Sequence, residues 1–168
     1  MSVNKSLDHV YVIPKDRANE EIANGFLLHD QVDECRIQVS SNARGWTGVL
    51  KVFETEYIPR LNANAKEYVI LLVDFDGKFS KRYQQISESI PGNLKDQGFV
   101  LGSKDEPERL KKLFKKAFLE DIGTALAEEC YQDSLVLWGH EHLMHNETER
   151  LRIARLLKPF LFLQSRIE

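Results

Sequence analysis

The segment "EYVILLVDFDGKFSK", residues 67–81, gives the clearest indication of the fold class. Residues 69–73 are all apolar, without the alternation that marks a strand with one solvated face. Such a strand is typical of the centre of a parallel sheet that helices cover on both faces. The apolar run ends with Asp74 and Asp76, and Gly77 follows them.

Three further segments have the composition of short strands. They are "HVYVI" at residues 9–13, "CRIQVS" at 35–40 and "GFVLGS" at 98–103. Segments with the apolar period of a helix separate the four strands. Strands that alternate with helices pair in parallel through right-handed crossovers. The sequence therefore predicts an α/β fold with a mainly parallel four-stranded sheet and helices on both faces.

The remainder of the chain is predicted to be an α-helical C-terminal extension. A chain of 168 residues suits a single domain, with a core at about 9–118 and the extension at about 119–168. A helical pattern covers 110–130, and Asn146 is of the type that caps a helix. The apolar segment "LLKPFLFL", residues 156–163, is expected to pack on the sheet or on a partner, which leaves a homodimer or a partner subunit open.

Composition and charge limit the classes of protein to consider. The chain has 23 basic and 26 acidic residues, so it does not indicate a general affinity for nucleic acid, although a local basic groove stays open. Cys35 and Cys130 are too few for a disulfide framework, and we expect both to be reduced and buried. No apolar run approaches the roughly 20 residues that cross a bilayer, and the first residues lack the pattern of a signal peptide. We therefore expect a cytoplasmic protein without membrane contact.

The two aspartates predict a cation site. Ligands of parallel α/β sheets bind beyond the carboxyl ends of the strands, where Asp74 and Asp76 are expected. Residues two apart in a strand point to the same side, so the carboxylates would repel each other unless a cation or proton intervenes. Mg²⁺, or the related Mn²⁺, suits one or two carboxylates together with phosphate oxygens. The alternative is structural: one aspartate caps the next helix and the other is solvated.

The order of elements and the sequence "LLVDFD", residues 71–76, resemble the Toprim domain of primases, topoisomerases and overcoming-lysogenization-defect nucleases. The resemblance covers roughly residues 9–118. In that family the first strand ends in a glutamate and the third strand ends in D-x-D. Here Pro14 or Lys15 stands at the glutamate position, and Asp16 is the acid close enough to replace it.

The resemblance implies metal-assisted phosphoryl transfer. Asp74 and Asp76 would hold Mg²⁺, and Asp16 or Glu106 would carry the proton. Glu106, like the neighbouring Asp105, follows the fourth strand and is expected at the same sheet edge. Basic residues near these acids would bind phosphate, with solvated surface as the alternative; they are Arg44, Lys78, Lys81 and Arg82.

Three functions stay open from the sequence. The first is a Mg²⁺-dependent, nuclease-like protein that acts on nucleic acid or a nucleotide phosphodiester. The second is a non-catalytic binding or regulatory subunit of the same fold that has lost the first-strand glutamate. The third is a phosphatase with Asp74 as nucleophile, because "VDFDG" also resembles the first motif of the haloacid dehalogenases. Lys78 replaces the threonine or valine that follows that motif.

Three histidines lie in "WGHEHLMH", residues 138–145. Histidines at close spacing are ligands for zinc and other transition metals. On a helix, His140 and His142 would point apart, and no cysteine or acid completes a tetrahedral set with His145. We expect Trp138 to close an edge of the core and the histidines to lie on a loop or helix start. The alternative is substrate contact, if the tail folds back over the sheet edge.

Overall fold

The computed structural model describes residues 2–163 of the chain. Four strands form one sheet in the order β2-β1-β3-β4, and every pair is parallel. The strands are β1 (His9–Pro14), β2 (Ile37–Val39), β3 (Glu67–Asp74) and β4 (Gly98–Ser103). The predicted α/β fold with a parallel four-stranded sheet is therefore confirmed.

Helices form the connections between strands and the C-terminal extension. Between β2 and β3 the chain runs through α2 (Trp46–Val52), a π-helical turn (Phe53–Tyr57) and α3 (Ile58–Ala63). The other α-helices are α1 (Arg17–Leu27), α4 (Phe79–Glu88), α5 (Glu108–Leu113), α6 (Leu119–Gln132), α7 (Glu147–Leu156) and α8 (Lys158–Leu161). Short 3₁₀ turns lie at Gly92–Leu94 and Met144–Asn146. Within residues 2–163, no helix combines the length and apolar character needed to span a bilayer.

The apolar strand β3 lies between β1 and β4 and pairs with both. Its side chains alternate between two apolar layers, which explains why its sequence does not alternate. Val69, Leu71 and Val73 pack with α2, the π-helical turn, α3 and α4. Ile70 faces the other layer, which α1, α6 and the tail cover. Helices on both faces of the sheet, as predicted, hold the carboxyl ends of the strands at one edge.

The predicted helix over 110–130 is divided into α5 and α6. Lys115 lies in the gap and has a left-handed backbone, with φ of 53°. A residue in that conformation cannot continue a right-handed helix. Gly123 lies inside α6 and does not interrupt it. Because glycine has no Cβ atom, α6 can approach the Ile22 carbonyl of α1 at this position.

Two smaller expectations are also wrong. The Asn146 side chain does not cap α7; it accepts a hydrogen bond from Gly102 N at 3.0 Å and donates one to Gly102 O at 2.9 Å. Buried in this way, it fixes the start of α7 against β4. Cys35 is exposed, so only Cys130 agrees with the expectation that both thiols are sheltered.

The apolar tail packs on the sheet of its own chain. Leu157, Phe160 and Phe162 are buried in the layer beside β1 and β4. Phe162 also forms an isolated antiparallel bridge with Val32. The tail therefore takes the first of its two predicted positions, and the partner subunit stays a prediction.

Candidate functional site

The carboxyl ends of β1 and β3 form the edge where a ligand is expected. From β1 the chain moves to β2 on one side of the sheet and later returns to β3 on the other side. Ligands of open α/β sheets bind at such a change of direction, outside the carboxyl ends of the strands. Lys15 and Asp16 directly follow β1, and Asp74 is the last residue of β3. The topology therefore brings these three residues to one crevice.

Asp74 is buried and paired with a lysine. Only 4% of its side chain is exposed. Lys15 Nζ donates hydrogen bonds to Asp74 Oδ1 at 2.8 Å and to Oδ2 at 3.0 Å. Asn19 Nδ2 on α1 donates a third, longer bond of 3.4 Å to Oδ1. A lysine ammonium group thus contacts the carboxylate that the sequence assigns to a metal.

Asp76 lies in the turn after β3, and its side chain is 45% exposed. Asp76 and Gly77 have left-handed backbones, with φ of 50° and 70°. The Asp76 carboxyl is nevertheless near enough to Asp74 to contribute to the upward shift of the Asp74 pKa. The sequence placed both carboxylates on one strand, but β3 ends at Asp74 and a turn sets the position of Asp76.

The electrostatics of the crevice reflect this crowding. Burial raises the pKa of Asp74; the hydrogen bond from Lys15 lowers it and contact with Asp76 raises it, so that the net shift is upward. Burial lowers the pKa of Lys15, but its bond to Asp74 and the charges of Asp74, Asp76 and Asp16 raise it overall. Lys15 is therefore held as a cation between acids, while Asp74 has an increased affinity for a proton.

Asp16 serves as the N-cap of α1. Its Oδ1 accepts hydrogen bonds from Asn19 N at 3.0 Å and from Asn19 Nδ2 at 2.9 Å. Its Oδ2 lies 4.0 Å from Lys15 Nζ. One oxygen thus fixes the start of α1, and the other faces the lysine that binds Asp74. The structure brings Asp16, Asp74 and Asp76 together around Lys15.

Arg82 on α4 adds a second cation to the cluster. Its guanidinium group lies over the Trp46 ring, 4.3 Å from the ring centroid, an arrangement that favours a cation. Arg82 Nη1 is 3.9 Å from Asp76 Oδ2. The same nitrogen is buried and has no hydrogen bond to any residue in the described range. We call Lys15, Asp16, Asp74, Asp76 and Arg82 the Asp74 cluster.

The other predicted phosphate-binding residues lie at the margin of this cluster. Arg44 is exposed in a left-handed turn, with φ of 59°. Gly45 N, the next residue, donates to Lys15 O at 2.8 Å, so the turn lies against the end of β1. Lys78 and Lys81 are exposed at the start of α4. These basic side chains are open to solvent next to the crevice.

Glu106 is not brought into the cluster. It is exposed on the loop after β4, and among residues 2–163 its side chain forms no hydrogen bond or ion pair. The neighbouring Asp105 lies next to the turn after β3, since a Cβ atom added at Gly77 would be 3.2 Å from Asp105 Oδ1. Asp105 Oδ2 is 3.5 Å from Arg109 Nη1 and 3.9 Å from His142 Nδ1.

His145 lies apart from His140 and His142, which contact each other. The rings of His140 and His142 stack with centroids 5.5 Å apart. His145 Nε2 is 2.6 Å from Gly102 O, and the ring packs against Phe79. Burial lowers the pKa of His145. Residues 2–163 contain no group of three or more His, Cys, Asp or Glu side chains that could hold a metal ion.

Two residues of the site have only weak signals in the sequence. Asn19 could be found because it lies three residues after the N-cap, on the turn of α1 that faces the crevice. Trp46 could be found only from its place at the start of α2, after the turn that contains Arg44. The sequence indicated Lys15 merely as an occupant of the family's glutamate position, and its bond to Asp74 depends on the pairing of β1 with β3.

Comparison of the chain with protein-family models, with curated proteins and with solved structures found no match in any of the three.

Proposed function

We propose that the Asp74 cluster binds a divalent cation, Mg²⁺ or Mn²⁺, and acts on a phosphodiester of a nucleic acid or nucleotide in a nuclease-like reaction. One observation carries this proposal. Two carboxyl groups, Asp74 and Asp76, lie near each other at the switch point of a parallel sheet, with Lys15 Nζ 2.8 Å from Asp74 Oδ1 and Arg82 Nη1 3.9 Å from Asp76 Oδ2. Such a pair is stable only with a proton or a cation nearby.

The oxygens of Asp74 and Asp76 suit Mg²⁺, but Lys15 occupies the Asp74 carboxylate. Asp74 and Asp76 supply hard oxygen ligands, and Mg²⁺ commonly binds one or two carboxylates while keeping several waters. The absence of a third acid in contact, within the described part of the chain, is therefore no obstacle to this ion. Lys15 already donates to both oxygens of Asp74, so a metal has to displace it.

The residues around the crevice have distinct roles in the proposed reaction. A bound metal would polarise the phosphodiester. Asp16 is the candidate proton carrier, because its Oδ2 is not used by the helix cap. Lys15 and Arg82 lie next to the carboxyl pair and supply positive charge for phosphate oxygens. Arg44 and Lys78 extend this charge along the margin.

A non-catalytic binding subunit is the second candidate, and the lysine favours it. Lys15 neutralises Asp74 without a metal, and Asp16 has a structural task as a helix cap. In that case the basic margin binds an anionic partner, and the acids hold Lys15 in place. The two candidates differ in whether a divalent cation changes the behaviour of the protein.

The experiment is an assay of the purified chain with single-stranded DNA, duplex DNA, RNA and a chromogenic phosphodiester. Each substrate is incubated with Mg²⁺, with Mn²⁺ or with a chelator. We expect cleavage that requires the metal and that Asp74→Asn abolishes. Asp96→Asn is the matched control, because Asp96 is exposed and remote from the crevice.

The outcomes separate the candidates. Metal-independent binding without turnover supports the regulatory subunit and contradicts the nuclease-like function. Trapping of beryllium fluoride on Asp74, with loss of trapping in Asp74→Asn, supports the phosphatase instead. Absence of turnover and of metal binding with every substrate overturns the proposed reaction.

A further inference from the structure

A cavity of about 140 Å³ lies on the face of the sheet opposite to the one that α2, α3 and α4 cover. Its floor is formed by apolar side chains of the strands, among them Val12, Ile70 and Leu101. Helices α1, α6 and α7 and the tail form its walls. An apolar cavity of about 150 Å³ stays free of water and accommodates a benzene molecule. The volume therefore suits a small apolar group.

Part of the cavity lining reaches the surface near the end of α6 and along α7, and we call this part the mouth. Most lining residues are apolar, and those that are at least partly exposed include Asp133, Ser134, Arg150, Ala154 and Lys158. Asp133 and Ser134 follow α6, and the other three lie on α7 and at the start of α8. The gap between these two elements therefore opens the cavity to solvent.

The charged residues of the lining leave one cation without a counter-ion. Lys158 Nζ is paired with Asp133 Oδ1 at 2.9 Å. The buried Glu129 carboxylate accepts hydrogen bonds from Leu137 N at 2.8 Å and Trp138 N at 3.1 Å. Arg150 forms no hydrogen bond or ion pair with any residue in 2–163.

Cys130 is next to these charges. Burial raises the pKa of its thiol to about 11, while the charges of Lys158 and Arg150 lower it. The thiol is therefore protonated and behaves as an apolar part of the lining near neutral pH. Arg150 thus lines an apolar interior, and its guanidinium has no partner among residues 2–163.

We propose that this cavity binds a small carboxylic acid whose apolar body is about the size of a benzene ring and whose carboxylate pairs with Arg150. The apolar walls select the body, because removing apolar surface from water is favourable. The guanidinium selects the anionic end, because its planar donors match a carboxylate. Asn19 lines the cavity and also donates to Asp74, but the proposed ligand contacts involve no residue of the Asp74 cluster, so the inference does not depend on the function proposed for that cluster.

Trp138 provides a direct readout of occupancy. It lines the cavity, and its Nε1 donates to Leu126 O at 3.1 Å. Trp46 is the other tryptophan of the chain and lies at the Asp74 cluster. Fluorescence of the Trp46→Phe variant therefore reports on Trp138 alone. The probes are phenylacetate, hexanoate, the neutral toluene and the cationic benzylamine.

The expected order of affinity is phenylacetate and hexanoate above toluene, and toluene above benzylamine. Arg150→Gln is expected to weaken phenylacetate binding roughly tenfold or more, because it removes a charge-assisted hydrogen bond, and to leave toluene binding unchanged. Arg155→Gln is the matched control, since Arg155 is exposed on the same helix. Ala154→Leu narrows the mouth, and Ala23→Leu fills the interior; both are expected to weaken every probe.

Circular dichroism of each variant checks that it is folded, and Ala154→Leu serves if Ala23→Leu does not fold. The inference is overturned if no probe changes the Trp138 fluorescence of the folded protein. It is also overturned if benzylamine binds as well as phenylacetate, or if Arg150→Gln leaves the preference for the carboxylate intact. Binding that survives Ala154→Leu and Ala23→Leu in folded protein places the probes elsewhere and contradicts the proposal.

Discussion

The Lys15 ammonium group lies within hydrogen-bond distance of both carboxylate oxygens of Asp74, at 2.8 and 3.0 Å. It joins the residue after the first strand to the last residue of the third strand across the switch point of the sheet. The Lys15 ammonium group therefore already serves as the cation at Asp74, and a divalent ion has to compete with this group. This relationship makes the proposed metal site testable by substitution.

Replacement of Lys15 by methionine is expected to strengthen Mn²⁺ binding at Asp74 and Asp76. The metal then no longer has to displace an ammonium group. Hydrogen bonds to charged groups contribute about 1.5–3 kcal/mol, so the gain is expected to be roughly tenfold or more. Electron paramagnetic resonance of free Mn²⁺ measures the change. Lys51→Met on α2 is the control, because Lys51 is exposed and away from the crevice. An unchanged affinity in Lys15→Met shows that the ion does not take the place of the lysine.

The pH dependence of stability is expected to change in Asp74→Asn. The pKa of Asp74 in the folded protein is above its ordinary value of 3.8, chiefly because of burial. The folded state therefore binds this proton more tightly than the unfolded chain. The contribution of Asp74 to stability is complete below pH 3.8 and is lost as the pH rises through the folded pKa.

Relative to Asp74→Asn, the wild-type protein is thus expected to lose free energy of unfolding as the pH rises from 3.8 through the higher pKa of folded Asp74. Urea denaturation of both proteins across this range measures the difference. Asp96→Asn, at an exposed acid, is the control variant. A wild-type advantage over Asp74→Asn that grows with pH contradicts the shift.

Asp16 allows the structural and catalytic roles to be separated. Asparagine is as good an N-cap as aspartate, whereas alanine at this position costs about 1 kcal/mol. Asp16→Asn is therefore expected to keep the stability of α1, and Asp16→Ala to lose it. If Asp16 carries the proton, Asp16→Asn also lowers turnover by roughly 10²–10⁴-fold. Chemical denaturation and the phosphodiester assay measure the two effects; full activity in Asp16→Asn limits this residue to capping.

The contact between α1 and α6 depends on glycine. A Cβ atom at Gly123 would clash with the Ile22 carbonyl, and one at Gly25 would clash with the Glu120 carbonyl. Gly123→Ala is expected to lower the free energy of unfolding by about 1–3 kcal/mol or more, as overpacking does. It also moves α1, which carries Asn19 of the site. Urea denaturation compares it with Gly92→Ala, where a Cβ atom meets no neighbour. Equal stability of the two variants contradicts this packing.

The sequence predicted the strands better than it predicted the breaks and caps. Strand β3 was evident because five consecutive apolar residues have few other places in an α/β protein. The division between α5 and α6 was not evident, because the left-handed backbone of Lys115 has no signature in a lysine side chain. Asn146 is of a residue type that often caps a helix. Its side chain instead binds Gly102, which is 44 residues away in the chain.

The site was predicted only in part, because some of its residues are placed by local sequence and others by contacts between distant parts of the chain. The acids at the end of β3 and the acid after β1 follow from local sequence and the rule for parallel sheets. The exclusion of Glu106 and the inclusion of Asn19 and Trp46 do not, because they depend on the paths of loops and on helix orientation. No local pattern distinguishes these outcomes.

The amino-acid sequence by itself determined that the chain has an α/β fold in which a buried parallel strand ends in acids. The apolar period of the helices, the apolar residues 69–73 and the alternation of strands with helices can all be read directly along the chain. Only the tertiary structure decided that Lys15 binds Asp74, that a left-handed turn sets the position of Asp76, and that Arg150 lines an apolar cavity with no counter-ion among residues 2–163. The Lys15–Asp74 bond and the cavity lining join residues far apart in the chain, so strand register and helix packing set their distances, whereas the Asp76 turn depends on a local left-handed backbone.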